Sequence, residues 1–363
     1  MAQLSREQVE SALSAFTDPY LGEDLVKAKA IKNIAVDGDA VSVQVTLGFP
    51  AAGYREQLAR ELQQHLQQTT GAARVSVEVD WEITARAVQQ GLKPMAGIKN
   101  IIAVASGKGG VGKSTTAVNL ALALAAEGAR TGVLDADIYG PSQPRMLGLE
   151  GRPESKDGKS LEPMENYGVQ VMSIGFLIDE EQPMVWRGPM VTQALTQLLN
   201  DTRWRDLDYL VVDLPPGTGD IQLTLSQKVP VTGAVIVTTP QDIALLDARK
   251  GLKMFEKVNV PVLGIVENMS THICSNCGHE EHIFGAGGGV RMAEQYGVDL
   301  LGSLPLDIRI REQVDGGRPT VVAEPDGTVA ESYRDIARRA AAKLSLKSRD
   351  YSGKFPKISI EDS

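Results

Sequence analysis

A glycine-rich stretch, Ser106-Gly107-Lys108-Gly109-Gly110-Val111-Gly112-Lys113-Ser114-Thr115, follows the apolar run Asn100 to Ala105. Residues Gly107 to Ser114 fit the spacing G-x-x-x-x-G-K-[ST]. No other feature constrains the fold as tightly, because the pattern works only between a strand and a helix. Glycines let backbone N–H groups curl around an anion, Lys113 reaches the β- and γ-phosphates, and the Ser114 hydroxyl joins a magnesium shell. The helix expected over Ser114 to Glu127 aims its positive N-terminal end at the same anion. The stretch therefore predicts a nucleoside triphosphate site with Mg2+. Its binding residues are Gly107, Lys108, Gly109, Gly110, Val111, Gly112, Lys113, Ser114 and Thr115, with Lys113 also catalytic and Ser114 on the metal.

From Ile98 onward short apolar runs alternate with helical patterns. Strands are expected at Asn100 to Ala105, Arg130 to Leu134, Tyr209 to Val212, Gly233 to Thr238, Pro261 to Glu267 and Asp299 to Leu301. Helices are expected at Met190 to Leu199, Ala244 to Val258, Val290 to Tyr296 and Thr328 to Leu344. This alternation predicts an α/β fold, a doubly wound and mostly parallel sheet with its ligand at the carboxyl ends of the strands.

Residues 1–85 read as a separate, small α+β domain. Ser5 and Gln8 form a capping-box pattern before Val9, Leu13 and Phe16, so a helix is expected over about residues 6–16. Two strands, Lys29 to Val36 and Ala40 to Leu47, flank an Asp37-Gly38-Asp39 hairpin signal. A helix over Gly53 to Gln68 and the alternating strand Arg74 to Trp81 complete an α-β-β-α-β order. Residues 86–97 lack periodicity and read as an exposed linker that lets the domains move, 98–346 as the P-loop domain, and 347–363 as a flexible tail.

Two acidic strand ends complete the nucleotide site. Leu134-Asp135-Ala136-Asp137 places carboxylates just past a buried strand, where one can position an attacking water. Leu210-Val211-Val212-Asp213-Leu214-Pro215-Pro216-Gly217-Thr218-Gly219 ends a second run on Asp213, whose oxygens suit magnesium through a water.

Lys108, directly after the first glycine, makes Gly-Lys-Gly-Gly-Val-Gly-Lys-Ser similar to the deviant Walker A motif. That motif marks the ParA and MinD partition ATPases, the nitrogenase iron protein and the Mrp/ApbC proteins. The resemblance implies a homodimer that closes on ATP, with Lys108 catalytic and reaching the partner's nucleotide. It further implies that Asp137 positions the water, that Asp213 is the Walker B acid before switch II, and that Asn268 meets the adenine base.

The chain has two cysteines, Cys274 and Cys277, and the same segment carries three of its four histidines. Such a concentration predicts a metal-binding loop, with Cys274 and Cys277 as ligands. Two shells are open. Cys274, Cys277, His279 and His282 could hold zinc within one chain, at a spacing tight for a tetrahedral site. Alternatively, the cysteines of two chains could meet across a two-fold axis as four thiolates for a [4Fe-4S] cluster. The implied dimer favours the cluster over zinc or a redox dithiol.

Asn-Met-Ser, Cys-x-x-Cys, Ile-Phe-Gly and Gly287-Gly288-Gly289 in order resemble the Mrp/ApbC iron–sulfur carriers, and the first domain resembles the MIP18-type domain often found ahead of them. Many such domains carry a cysteine near the turn at Phe49-Pro50; none stands here, which favours an accessory interaction role. The resemblance implies an ATPase that binds a cluster and transfers it from donors to apo iron–sulfur proteins. A positioning ATPase of the ParA/MinD kind is the rival reading.

Acidic residues outnumber basic ones, 46 to 37, for a formal charge of -9. That balance argues against broad binding to nucleic acid or an anionic membrane. With no long apolar run and no signal-peptide core at the N-terminus, the expected compartment is the cytoplasm.

Overall fold

The computed structural model describes residues 4–89, 91–178, 188–274 and 276–349. The first unit is built on alternation. In α1 (Arg6–Ser14) the Ser5 hydroxyl accepts the Gln8 N–H while the Gln8 side chain accepts the Ser5 N–H, so the capping box is present in both directions. Strands β1 (Ile31–Asp37) and β2 (Ala40–Leu47) pair antiparallel through Gly38, whose φ of +60° suits a residue without a Cβ. Helix α2 (Arg55–Thr70) buries Leu58, Leu62 and Leu66, and β3 (Arg74–Trp81) pairs parallel with β2 along its whole length.

The second unit opens with β4 (Ile98–Ala105), α3 (Lys113–Ala126), β5 (Thr131–Asp135) and the short α4 (Gln143–Met146). Next come β6 (Met164–Asn166), β7 (Val169–Ser173), α5 (Gly188–Asp201), β8 (Leu207–Asp213) and α6 (Asp220–Lys228). β9 (Gly233–Thr238), α7 (Asp242–Lys257) and β10 (Val262–Glu267) follow, then the two-residue strands β11 (His272–Ile273) and β12 (Glu280–Glu281). The described chain ends with α8 (Gly288–Tyr296), β13 (Leu300–Ser303), α9 (Ile308–Asp315), α10 (Thr320–Ala323) and α11 (Thr328–Ser345).

The main sheet has the order β13-β10-β9-β4-β8-β5-β7-β6, and its pairs are parallel except β6 with β7. The chain leaves β4 toward β5 on one side and later returns to β9 on the other. This is the doubly wound order expected, with the switch point at β4. β5, β8 and β9 are buried at every residue, which requires cover on both faces and explains their unbroken apolar runs. β6 and β7 were not anticipated; Met164-Glu165-Asn166 is only three residues long, and Val169 to Ser173 follows it after a two-residue turn. Among the described residues no helix is long and apolar enough to cross a membrane.

The segment 86–97 differs from the exposed, freely moving linker expected. Arg86 is buried; its backbone N–H donates to Asn100 Oδ1 and its guanidinium to the Lys347 carbonyl, while the Gln89 side chain donates to the Ser226 carbonyl. Ala87 N–H bonds the Ser348 carbonyl, so the start of the presumed tail is also tied down. Residues 350–363 of that tail lie outside the described residues.

A buried charge cluster joins the two units. Glu127, at the C-terminal end of α3, accepts from Arg338 Nη2 at 2.6 Å and from the Gly53 N–H at 3.0 Å, and its carbonyl accepts the Ala52 N–H. Tyr20 donates its hydroxyl to Asp335 and accepts from Arg338. The small unit meets the cluster through Ala52, Gly53 and Tyr20, while Glu127, Asp335 and Arg338 all belong to the P-loop unit.

Candidate functional site

Sheet register places the acids. Val104 lies opposite Asp213 between β4 and β8, and Asp135 lies opposite Asp213 between β5 and β8. The phosphate loop leaves β4 at this same carboxyl edge, so one surface carries the loop and both acidic strand ends.

Within the loop the glycines do different work. A Cβ on Gly107 would come within 2.2 Å of the Asp247 backbone on α7, so close approach requires glycine there. Gly112, with φ +81°, caps α3, and a Cβ on it would meet Asn268 Nδ2 at 2.1 Å. Around Gly109 and Gly110 nothing lies within 4 Å of an added Cβ, so the loop borders open space there, as an anion cradle needs. Val111 is buried and Thr115 sits in the first turn of α3, its carbonyl bonded by Asn119.

Lys113 is 5% exposed and its Nζ lies 2.5 Å from Asp213 Oδ1, 3.2 Å from Ser114 Oγ and 3.6 Å from Asp137 Oδ2. The sequence-predicted Lys113, Ser114, Asp137 and Asp213 thus converge. Lys108 stands apart: its Nζ donates to Gln241 Oε1 at 3.2 Å at the start of α7. Asn268 braces the loop, donating its amide to the Val111 carbonyl at 3.0 Å.

Burial, followed by the neighbouring Asp213 charge, pushes the Asp135 carboxyl up. Burial also raises Asp137, against the pull of the Lys113 charge. Asp135 is fully buried. It shapes the loop after β5, accepting from the N–H groups of Asp137, Ser142 and Gln143 and from the Ser173 hydroxyl.

Reading the sequence missed Gln143, Gln241 and Glu267. Gln143 is fully buried and donates to Asp213 Oδ2; Glu267, at the end of β10, accepts the Gly289 N–H at the start of α8. A glutamine in a Pro-Ser-Gln-Pro loop carries no signal of its own; only the fold brings it to the acid.

The two cysteines sit in a small hairpin. β11 pairs antiparallel with β12, Cys274 N–H donates to the His279 carbonyl at 2.9 Å, and Gly278 N–H donates to the Cys274 carbonyl at 2.8 Å. Cys274 is half-buried and Cys277 exposed. The backbone N–H groups of Cys277 and Asn276, followed by the Cys277 side chain, pull the Cys274 thiol below its ordinary range. Hydrogen bonds to sulfur favour the thiolate, the form that binds metal.

The histidines point elsewhere. His272 Nδ1 lies 3.0 Å from the Leu306 carbonyl and His282 Nδ1 3.0 Å from the Ser270 carbonyl, which makes Nδ1 the protonated nitrogen of each. His279 is exposed near Glu281. Among the described residues no three His, Cys, Asp or Glu side chains group as metal ligands. The single-chain zinc shell of Cys274, Cys277, His279 and His282 is therefore not built here.

A family described as NUBPL iron-transfer P-loop NTPase matches residues 97–341, and one described as iron-sulfur cluster assembly protein matches residues 6–79. The iron-sulfur cluster carrier protein of Salmonella typhimurium is 54% identical over 340 residues, covering 93% of this chain and 92% of the relative. The mouse iron-sulfur cluster transfer protein NUBPL is 54% identical over 254 residues, 69% of this chain and 80% of the relative. Among solved structures, a nucleotide-binding protein of Archaeoglobus fulgidus in complex with ADP is 40% identical. It has a TM-score of 0.56 and covers 64% of this chain and 90% of its own. The cell-division ATPase MinD of Pyrococcus furiosus, at 22% identity and TM-score 0.50 over 66% of this chain and 97% of its own, shares the fold. With a P-loop unit matched over most of its length and the small assembly unit ahead of it, the chain belongs to the NUBPL-type iron-transfer P-loop NTPases, the family of the iron–sulfur cluster carriers.

Proposed function

We propose that this protein is an ATP-hydrolysing carrier of a [4Fe-4S] cluster, held as cargo between the Cys274 and Cys277 pairs of two chains and passed to apo iron–sulfur proteins. One observation carries the reading. The Cys-x-x-Cys hairpin presents two thiols, one with its thiolate favoured, and among the described residues no further metal-binding side chain converges on them. A second chain supplies the two missing thiolates. Exposed Ile273, Ile283 and Val290 in the same stretch support a covered surface there. A reduced thiol pair fits the cytoplasm.

The nucleotide half follows from the loop. Ser114 Oγ and the Asp213 carboxylate form an oxygen-only donor set, which fits Mg2+, a hard cation that keeps several waters. When bound, the ion neutralises charge on the β- and γ-phosphates. Lys113 turns from Asp213 to the phosphates, because a triphosphate is the stronger anion. Asp137, on the loop shaped by Asp135, positions the attacking water. Lys108 leaves Gln241 for the partner's nucleotide, and Asn268 at the end of β10 contributes to the base contact. Closure of the dimer then changes the spacing of the cysteines and the ease of loading or release.

Transfer tests the reading. Anaerobically reconstituted protein restores activity to an apo [4Fe-4S] enzyme, and the Cys274→Ala variant does not. Equal transfer by that variant would contradict the assignment.

A further inference from the structure

Gln143 begins α4 and is 0% exposed. Its Nε2 donates to Asp213 Oδ2 at 2.9 Å and to the Ser114 carbonyl at 3.1 Å. Both partners are acceptors, which fixes the orientation of the amide. Its backbone N–H donates to Asp135 Oδ2 at 3.1 Å, the residue that also holds the Asp137 N–H at 3.2 Å. A single side chain therefore ties the first turn of the P-loop helix to the acid at the end of β8, while its backbone ties both to the loop carrying Asp137.

The other end of the amide is unusual. Gln143 Oε1 is buried and, among the described residues, has no hydrogen-bond partner. A buried carbonyl oxygen without a donor is unfavourable and is complemented by an N–H or O–H brought in from outside. Next to Ser114 and Asp213, the chemistry that brings O–H donors is a hydrated cation.

We infer that Gln143 is a positioning residue for the magnesium of the nucleotide site. By engaging Asp213 Oδ2 it leaves Oδ1 as the oxygen for the ion's shell once Lys113 turns to the phosphates. Its own Oε1 accepts from a magnesium-bound water. Because its backbone N–H is held by Asp135, the metal and the water-positioning Asp137 share one support. The inference rests on the magnesium–nucleotide reading of the site.

The experiment is titration of the full-length protein with a fluorescent ATP analogue, once with Mg2+ and once with EDTA. Wild type gains affinity from the metal. In Gln143→Met, which keeps the volume and loses the amide, that gain falls about tenfold while affinity in EDTA stays within about twofold of wild type. A gain equal to wild type, or equal losses with and without metal, would overturn the inference; the second outcome marks a purely structural residue. Should Gln143→Met fail to fold, Gln143→Asn, one methylene short of spanning both partners, is read by the same two titrations. A wild-type chain that gains nothing from Mg2+ would instead sink the magnesium reading itself, and is seen before any variant is made.

Discussion

Lys113 Nζ and Asp213 Oδ1 lie 2.5 Å apart at the meeting point of the P-loop helix and the β8 strand end, both out of solvent. The pair is a buried charge assembly in which the lysine stands between Asp213 and Asp137. Replacing Lys113 with alanine removes the phosphate partner and leaves Asp213 and Asp137 without their cation. Calorimetric titration with ATP is expected to show no binding at concentrations that saturate wild type. Denaturant unfolding of the nucleotide-free variant is expected to show a loss of about 3 kcal/mol, as when one partner of a buried pair is deleted.

Arg338 and Glu127, 5% and 1% exposed and both in the P-loop unit, form the buried pair at the far end of the same helix on which Gly53 and Tyr20 of the small unit dock. Truncating Arg338→Ala strands the Glu127 carboxylate with only the Gly53 N–H, a cost of about 3–5 kcal/mol by urea unfolding. The double change Glu127→Gln with Arg338→Met removes both charges and recovers most of that loss. ATP affinity of the double variant stays at the wild-type value, because the contact lies at the opposite end of α3 from the phosphate loop.

Acid sensitivity is built into the start of the P-loop unit. Asp208 accepts from Lys99 Nζ at 2.7 Å and from the Arg130 N–H at 2.9 Å. Burial alone would raise its carboxyl, but the hydrogen bonds from Lys99 and Arg130 outweigh it, so the folded pKa lies below 3.8. The stabilisation is therefore fully present above that value and is lost as pH falls through the folded pKa. Asp208→Asn is expected to lower stability by about 1–2 kcal/mol at neutral pH. The difference between variant and wild type shrinks as pH is taken down through the folded pKa of Asp208, measured by urea titration at neutral and at acid pH.

Lys108 binds Gln241 of its own chain in this structure, a contact that must open for the lysine to reach a partner. Lys108→Ala is expected to bind ATP as a monomer with near-normal affinity and to fail to dimerise with it. Sedimentation velocity with and without ATP reads this directly; ATP-dependent dimers of the variant would remove Lys108 from the closure step.

Much of this site could be read before the fold was known, and the reason is local. Residues 107–115 act through backbone geometry that their own spacing dictates, and Asp213 ends a strand whose apolar run marks it as buried. Cys274 and Cys277 sit close enough in sequence to be seen as one unit. What stayed hidden depends on long-range register. Gln143 reaches Asp213 across 70 residues, and Arg338 reaches Glu127 across 211; neither has a distinctive neighbour sequence. The expectation of a mobile linker failed for the same reason: Gln89-Gln90-Gly91 looks free until Ser226 and Lys347 arrive to bind its flanks. Of the unexpected strands only β6 is at the sheet edge, where a short segment suffices because one neighbour supplies the pairing; β7 pairs with both β5 and β6.

The central claim is that two chains share one cluster through Cys274 and Cys277. Mössbauer spectroscopy of anaerobically reconstituted protein, with iron, zinc and molar mass determined on the same sample, tests it most directly. The account predicts a [4Fe-4S] spectrum, one cluster per two chains and a mass of a dimer, all absent from Cys277→Ala. Zinc in place of iron, or a full cluster on a single chain or on the alanine variant, would contradict it.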